Sequence, residues 1–61
     1  MKEITVSIKN SEQTYKEKFL IYEEFTCNDN DPVIKQCVDD ALSHFKGEPE
    51  KIVLRVRLDV Q

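Results

Sequence analysis

The stretch DPVIKQCVDDALSHFKGEP, Asp31 to Pro49, carries both a start and a stop for one helix. Asp31 suits the N-cap and Pro32 the first helical position, where a missing N–H costs nothing. At the other end Lys46 falls in the last turn, Gly47 can adopt the left-handed C′ conformation, and Pro49 blocks continuation. Between these signals Val33, Ile34, Cys37, Val38, Ala41, Leu42 and Phe45 recur at spacings of one, three and four, which is one apolar stripe. The pattern predicts a single amphipathic helix over about 32–46.

The sequence on both sides of this helix changes period. Ile4, Val6 and Ile8 alternate with Glu3, Thr5, Ser7 and Lys9, the pattern of a half-buried strand over about 2–9. After the polar run NSEQT, β-branched and aromatic residues resume from Tyr15 to Thr26 and predict the second strand of a hairpin. Beyond Gly47, Ile52, Leu54, Val56, Leu58 and Val60 alternate with Val53, Arg55, Arg57 and Asp59, a third strand over about 51–60. The expected fold is a single α+β domain of ββαβ topology, with one helix on one face of a three-stranded, mainly antiparallel sheet. Order 2-1-3 makes that sheet wholly antiparallel and centres the cleanest alternator; order 1-2-3 is the alternative.

The run FLIYEEF, Phe19 to Phe25, sets four large apolar residues in succession where a half-buried strand should alternate. Register decides which of them meet the helix, because a slip of one residue exchanges the two faces. A four-residue loop, Ser11 to Thr14, pairs Asn10 with Tyr15, Val6 with Phe19, Ile4 with Ile21 and Lys2 with Glu23. A five-residue loop sets Val6 against Lys18 and Ile8 against Lys16, which buries less. The better register leaves Leu20 and Tyr22 facing away from the helix, joined by Val53. Three explanations of that patch compete: a β-bulge or ordinary scattered surface apolars, self-association of sheets or edge strands, and a different protein or nucleic-acid partner.

Sixty-one residues lie near the size at which one core barely offsets the conformational entropy of folding. Disulfides, metals or oligomerisation usually supply the rest. Cys27, Cys37 and His44 are the only cysteines and histidine, so a homodimer or higher oligomer is the expected route. No apolar run approaches the roughly 18 residues of a membrane span, and MKEITVSI lacks the basic and apolar regions of a signal peptide. A cytoplasmic protein with free thiols and no membrane association is expected.

The net charge of −3 disfavours a nucleic-acid binder, but its distribution is uneven. In the register above, the face away from the helix carries Lys9, Lys16, Lys18, Lys51, Arg55 and Arg57 against Glu3, Glu24 and Asp59. Lys16, Lys18, Tyr22, Arg55 and Arg57 then form a candidate platform for single-stranded nucleic acid, with phosphates neutralised and a base stacked. Lysines and arginines at exposed strand positions also simply deter edge aggregation. The acidic set Asp29, Asp31, Asp39, Asp40, Glu48 and Glu50 admits a decoy that presents carboxylates in place of phosphates. Helix capping and a solvated helix face account for the same residues.

Catalytic chemistry finds little support. Cys37 and His44 are seven apart and nearly on one side of the helix, yet neither CxxC nor HxxxH occurs, and a zinc site wants four ligands. Cys37 lies in the apolar stripe and suits core packing, while His44 suits a surface position near the helix C-terminus. A cysteine–histidine nucleophile lacks an orienting group, and the one glycine serves to stop the helix. Glu23 and Glu24 are consecutive strand residues pointing to opposite faces, so they do not flank one bond. The expectation is a protein without enzymatic activity, cofactor or metal. It acts as an interaction module through Leu20, Tyr22 and Val53 or an edge strand, with nucleic-acid binding as the alternative.

Overall fold

Ile4, Val6 and Ile8 are completely buried in the computed structural model of the chain, which describes residues 1–26, 28 and 30–58. They belong to β1 (Lys2–Lys9), the middle strand of an antiparallel sheet of order β2-β1-β3, with β2 spanning Thr14–Ile21 and β3 Lys51–Arg57. One helix among the described residues, α1 (Pro32–Ser43), lies on one face. It contributes buried Ile34, Cys37 and Ala41, and Phe45 just beyond its end completes the core. Each fully buried aliphatic side chain contributes about 1.5–3 kcal/mol. The strand with strict alternation is therefore central because only there are both edges paired and the apolar side covered.

Asn10 sets the hairpin register. Its Oδ1 accepts from the N–H groups of Glu12 at 2.8 Å and Gln13 at 2.9 Å, while its own N–H donates to the Gln13 carbonyl at 3.0 Å. Only Ser11 and Glu12 remain in the loop, and Thr14 already belongs to β2. No non-glycine residue described has a positive φ, so this is not the usual I′ turn. The asparagine side chain satisfies the donors instead. Ile4 consequently faces Phe19, Val6 faces Glu17, Ile8 faces Tyr15, and Lys2 faces Ile21. This corrects the expected pairing by two residues. Since two residues restore the same face, Phe19 and Ile21 still point towards α1 and Leu20 away from it.

The same side chain ties the hairpin to the connection between α1 and β3. Asn10 Nδ2 donates to the Glu48 carbonyl at 3.2 Å, Gln13 Nε2 donates to the Lys46 carbonyl, and the Glu50 N–H donates to the Lys9 carbonyl at 3.0 Å. Gly47 adopts φ +103°, and a Cβ there would stand 3.4 Å from Asn10 Nδ2. Its glycine serves this crossing and not the helix stop. The helix ends three residues earlier than expected, at Ser43. There the Ser43 hydroxyl (2.6 Å) and His44 Nδ1 (2.9 Å) both donate to the Asp40 carbonyl, satisfying an otherwise orphaned acceptor.

Between β2 and α1, Asp31 is the fastener. One carboxylate oxygen accepts from the Val33 N–H at 2.9 Å, as an N-cap should, and the other accepts from the Thr26 N–H (2.8 Å) and hydroxyl (2.9 Å). β2 stops at Ile21, five residues short of the expected end. Phe25 folds back to pack beside the core, with Lys2 Nζ 5.0 Å from its ring centroid and 3.5 Å from Glu24. Cys27, Asp29, Asp59 and Val60 lie outside the described residues, and β3 is described to Arg57.

Two outcomes test this arrangement. Phe45→Ala should cost about 3–5 kcal/mol, a loss comparable to the whole stability of many small domains at about 5 kcal/mol; a mutant that melts cooperatively at the parent temperature would contradict the core assignment. The backbone N–H donors of Thr26 and Val33 hold Asp31 below its ordinary pKa of 3.8. Its contribution to stability is therefore complete above that value and lost as pH falls through the lower folded one. Asp31→Asn, which keeps a capping side chain, should flatten the decline in melting temperature between about pH 4 and 2; an unchanged slope would show that Asp31 is not a source of it.

Candidate interaction surfaces

One helix is about 10 Å across, whereas the outer strands of a three-stranded sheet are themselves about 10 Å apart, before side chains. It cannot roof all three. α1 lies over β1 and β2, and among the described residues none of its Cα atoms comes within 8 Å of one in β3. The apolar side of β3 is left half-covered: Leu54 and Val56 touch the core, but Ile52 is 42% exposed and Leu58 just past the strand 60%. A groove of about 470 Å³ runs between α1 and β3, lined by Ile34, Val38, Ile52 and Leu54 with Lys35 and Asp39 on its rim. Among the described residues, the outer edge of β3 has no strand beside it in the β2-β1-β3 order.

Over β2 the roof is completed by polar side chains. Glu17 faces Val6 across the hairpin and accepts from the Tyr15 hydroxyl at 2.6 Å, and Tyr15 stacks against His44 with centroids 6.3 Å apart. The proximity of Glu17 raises the Tyr15 pKa, chiefly through that hydrogen bond. His44 is exposed and donates through Nδ1 to a carbonyl, whereas Cys37 is buried, and burial raises its thiol pKa. Among the described residues, no group of three or more histidine, cysteine or acidic side chains gathers.

The sheet face away from α1 has a different character. Strand registers align Leu20, Glu3 and Arg57 in one row, Lys18, Thr5 and Arg55 in the next, then Lys16, Ser7 and Val53, then Thr14, Lys9 and Lys51. Six of the chain's nine lysines and arginines stand here, and Glu3 is the only acidic residue among these strand positions. The Glu3 side chain is only 12% exposed and lies 4.0 Å from Arg57 Nη1. Glu24, expected on this face, is instead beyond β2 and paired with Lys2. Thr5, Ser7, Lys9, Lys16, Val53 and Arg55 line a shallow trough of about 180 Å³.

Leu20, Tyr22 and Val53 do not form one patch. Leu20 and Val53 are both exposed on this face but occupy opposite edges and different rows, about 13 Å apart along the strands and about 10 Å across them. Tyr22, 82% exposed, follows the end of β2. Lys16 and Lys18 on one edge strand and Arg55 and Arg57 on the other, by contrast, flank a common centre. The groove beside Ile52 escaped sequence reasoning, because alternation in β3 marks those residues as inward-facing without saying how far the helix extends over them. Comparison with protein-family models, curated proteins and solved structures found no match.

Proposed function

We propose that this chain is a non-catalytic interaction module that associates with a second copy of itself along β3. The observation that supports the reading is the half-covered apolar side of β3 beside an unpaired strand edge. Antiparallel pairing of β3 with its counterpart about a two-fold axis would satisfy both rows of edge N–H and C=O groups. It would also bring each Ile52 and Leu58, and the groove floor at Ile34 and Val38, against the same apolar surface of the partner. Ile52 and Leu58, with the half-buried Val38, lose water on that association, while Ile34 is already buried, and the hydrophobic gain is proportional to the area removed.

Edge pairing is favoured over stacking of the open sheet faces by charge. Stacking would oppose six cations to six cations with one largely covered glutamate on each side. Edge pairing leaves those faces side by side, where water and salt screen them. Lys51, Arg55 and Arg57 of the two copies would still approach one another, so added salt should hold or tighten the dimer.

Light scattering across a dilution series should give twice the chain mass at high concentration, with no loss at high salt. Ile52→Lys should weaken association by at least tenfold while leaving the melting temperature of the monomer little changed, since Ile52 is exposed there. A wild type that stays monomeric at millimolar concentration, or an Ile52→Lys variant that dimerises as the parent does, would overturn this reading.

A further inference from the structure

We infer that the open sheet face binds single-stranded nucleic acid, independently of association through β3. Charge complementarity carries the inference. The chain as a whole has net charge −3, yet among strand positions on this face six cations stand against one glutamate, whose side chain is 12% exposed. Protection of sheet edges favours charge at such positions, lysine above all. It does not require every exposed charge on both edge strands to be positive while the helix side is acidic. A polyanion lying on this face would neutralise the cations and release its own counterions.

The geometry selects one extended strand over a duplex or a bilayer. Lys16 and Lys18 form one rail, Arg55 and Arg57 the other, about 10 Å apart, and along each rail the cations recur every second residue, about 7 Å. That span admits one sugar-phosphate backbone along the trough. Between the rails lie Thr5 and Ser7, short half-buried side chains whose hydroxyls can donate or accept towards phosphate or base edges. Leu20 and Val53 supply apolar contact within the cationic field. Tyr22, 82% exposed immediately after β2, offers a ring on which a base can stack, and the arginine guanidinium planes offer the same. An anionic bilayer would attract the same cations but would leave the hydroxyl-lined trough between the rails without a partner, whereas one extended strand fills it.

The test is fluorescence anisotropy of a labelled single-stranded oligonucleotide of about 12 residues, a length matched to a small single-strand site, titrated with the full chain over a salt series. With four to six phosphate contacts, affinity should fall with a log–log slope of about −3 to −4, or about 50- to 300-fold between about 50 and 200 mM salt. Removing two cations in Lys16→Ala/Lys18→Ala should reduce that slope by about 1.4. These residues are on β2, away from the β3 edge, so the variant's mass in solution should match that of the parent. Tyr22→Ala should weaken binding by about tenfold without changing the slope. Lys35→Ala, on the helix side, should bind as the parent does.

Absence of binding at about 25 mM salt would overturn the inference, since the electrostatic term is largest there. So would equal binding by Lys16→Ala/Lys18→Ala, or binding of phosphatidylserine vesicles without binding of the oligonucleotide. Failure of dimerisation alone would leave this inference standing, and loss of oligonucleotide binding alone would leave the dimer.

Discussion

One twelve-residue helix covers a three-stranded sheet, and most of the molecule follows from that mismatch. Ile4, Val6 and Ile8 are sealed because β1 has a strand on each side and Ile34, Cys37 and Ala41 above it. The two outer strands divide what cover is left. β2 receives part of the helix and a polar roof from Tyr15, Glu17 and His44. β3 receives neither, and the groove beside Ile52 and Leu54 is the space that a second helix fills in larger layered domains. In so small a chain the apolar surface left over is a substantial fraction of what folding could have buried.

The same economy of length governs the polar groups. Asn10 serves the hairpin turn and the α1–β3 connection together, and Asp31 caps α1 while holding the segment that returns from β2. Each replaces backbone partners that short connections fail to provide. Removing Asp31 therefore leaves donors unmet in two places at once, and removing Asn10 leaves two donors unmet in the turn and the Glu48 carbonyl unmet at the connection. The charges are arranged just as tightly: cations collect on the bare sheet face and carboxylates around the helix, which makes a chain of modest net charge strongly two-sided.

The topology, strand order and inward-facing residues were legible in the sequence because alternation and the stripe from Ile34 to Phe45 are properties of each element alone. Register was legible only by face. Apolar pairing of Val6 with Phe19 and Ile4 with Ile21 looked the better match, but the Asn10 side chain closes the turn two residues tighter and sets Val6 opposite Glu17. The helix end failed for a related reason. Gly47 and Pro49 resemble a stop, yet the carbonyl of Lys46 is wanted by Gln13 and the helix yields at Ser43. The turn is closed by an asparagine bonded to donors two and three residues on, which apolar alternation does not register, and the helix end by a glutamine whose partner is 33 residues away, beyond the reach of any local pattern. The candidate patch of Leu20, Tyr22 and Val53 dispersed because alternation fixes a face and says nothing of position across it.

The strand order also bears on the sequence of events in folding. β1 and β2 are joined by a two-residue turn, whereas the pairing of Lys9 with Lys51 closes a loop through the whole hairpin return and helix. Closing that larger loop carries the greater entropic cost before any contact repays it. Loop-closure entropy thus favours β3 joining last, and with no helix above it and pairing along one edge only it has the fewest restraints against release. Local opening there uncovers the second edge of β1 while the hairpin and helix stay intact, so the amides shared between β1 and β3 are released through a sub-global opening and those shared between β1 and β2 only with the rest of the fold.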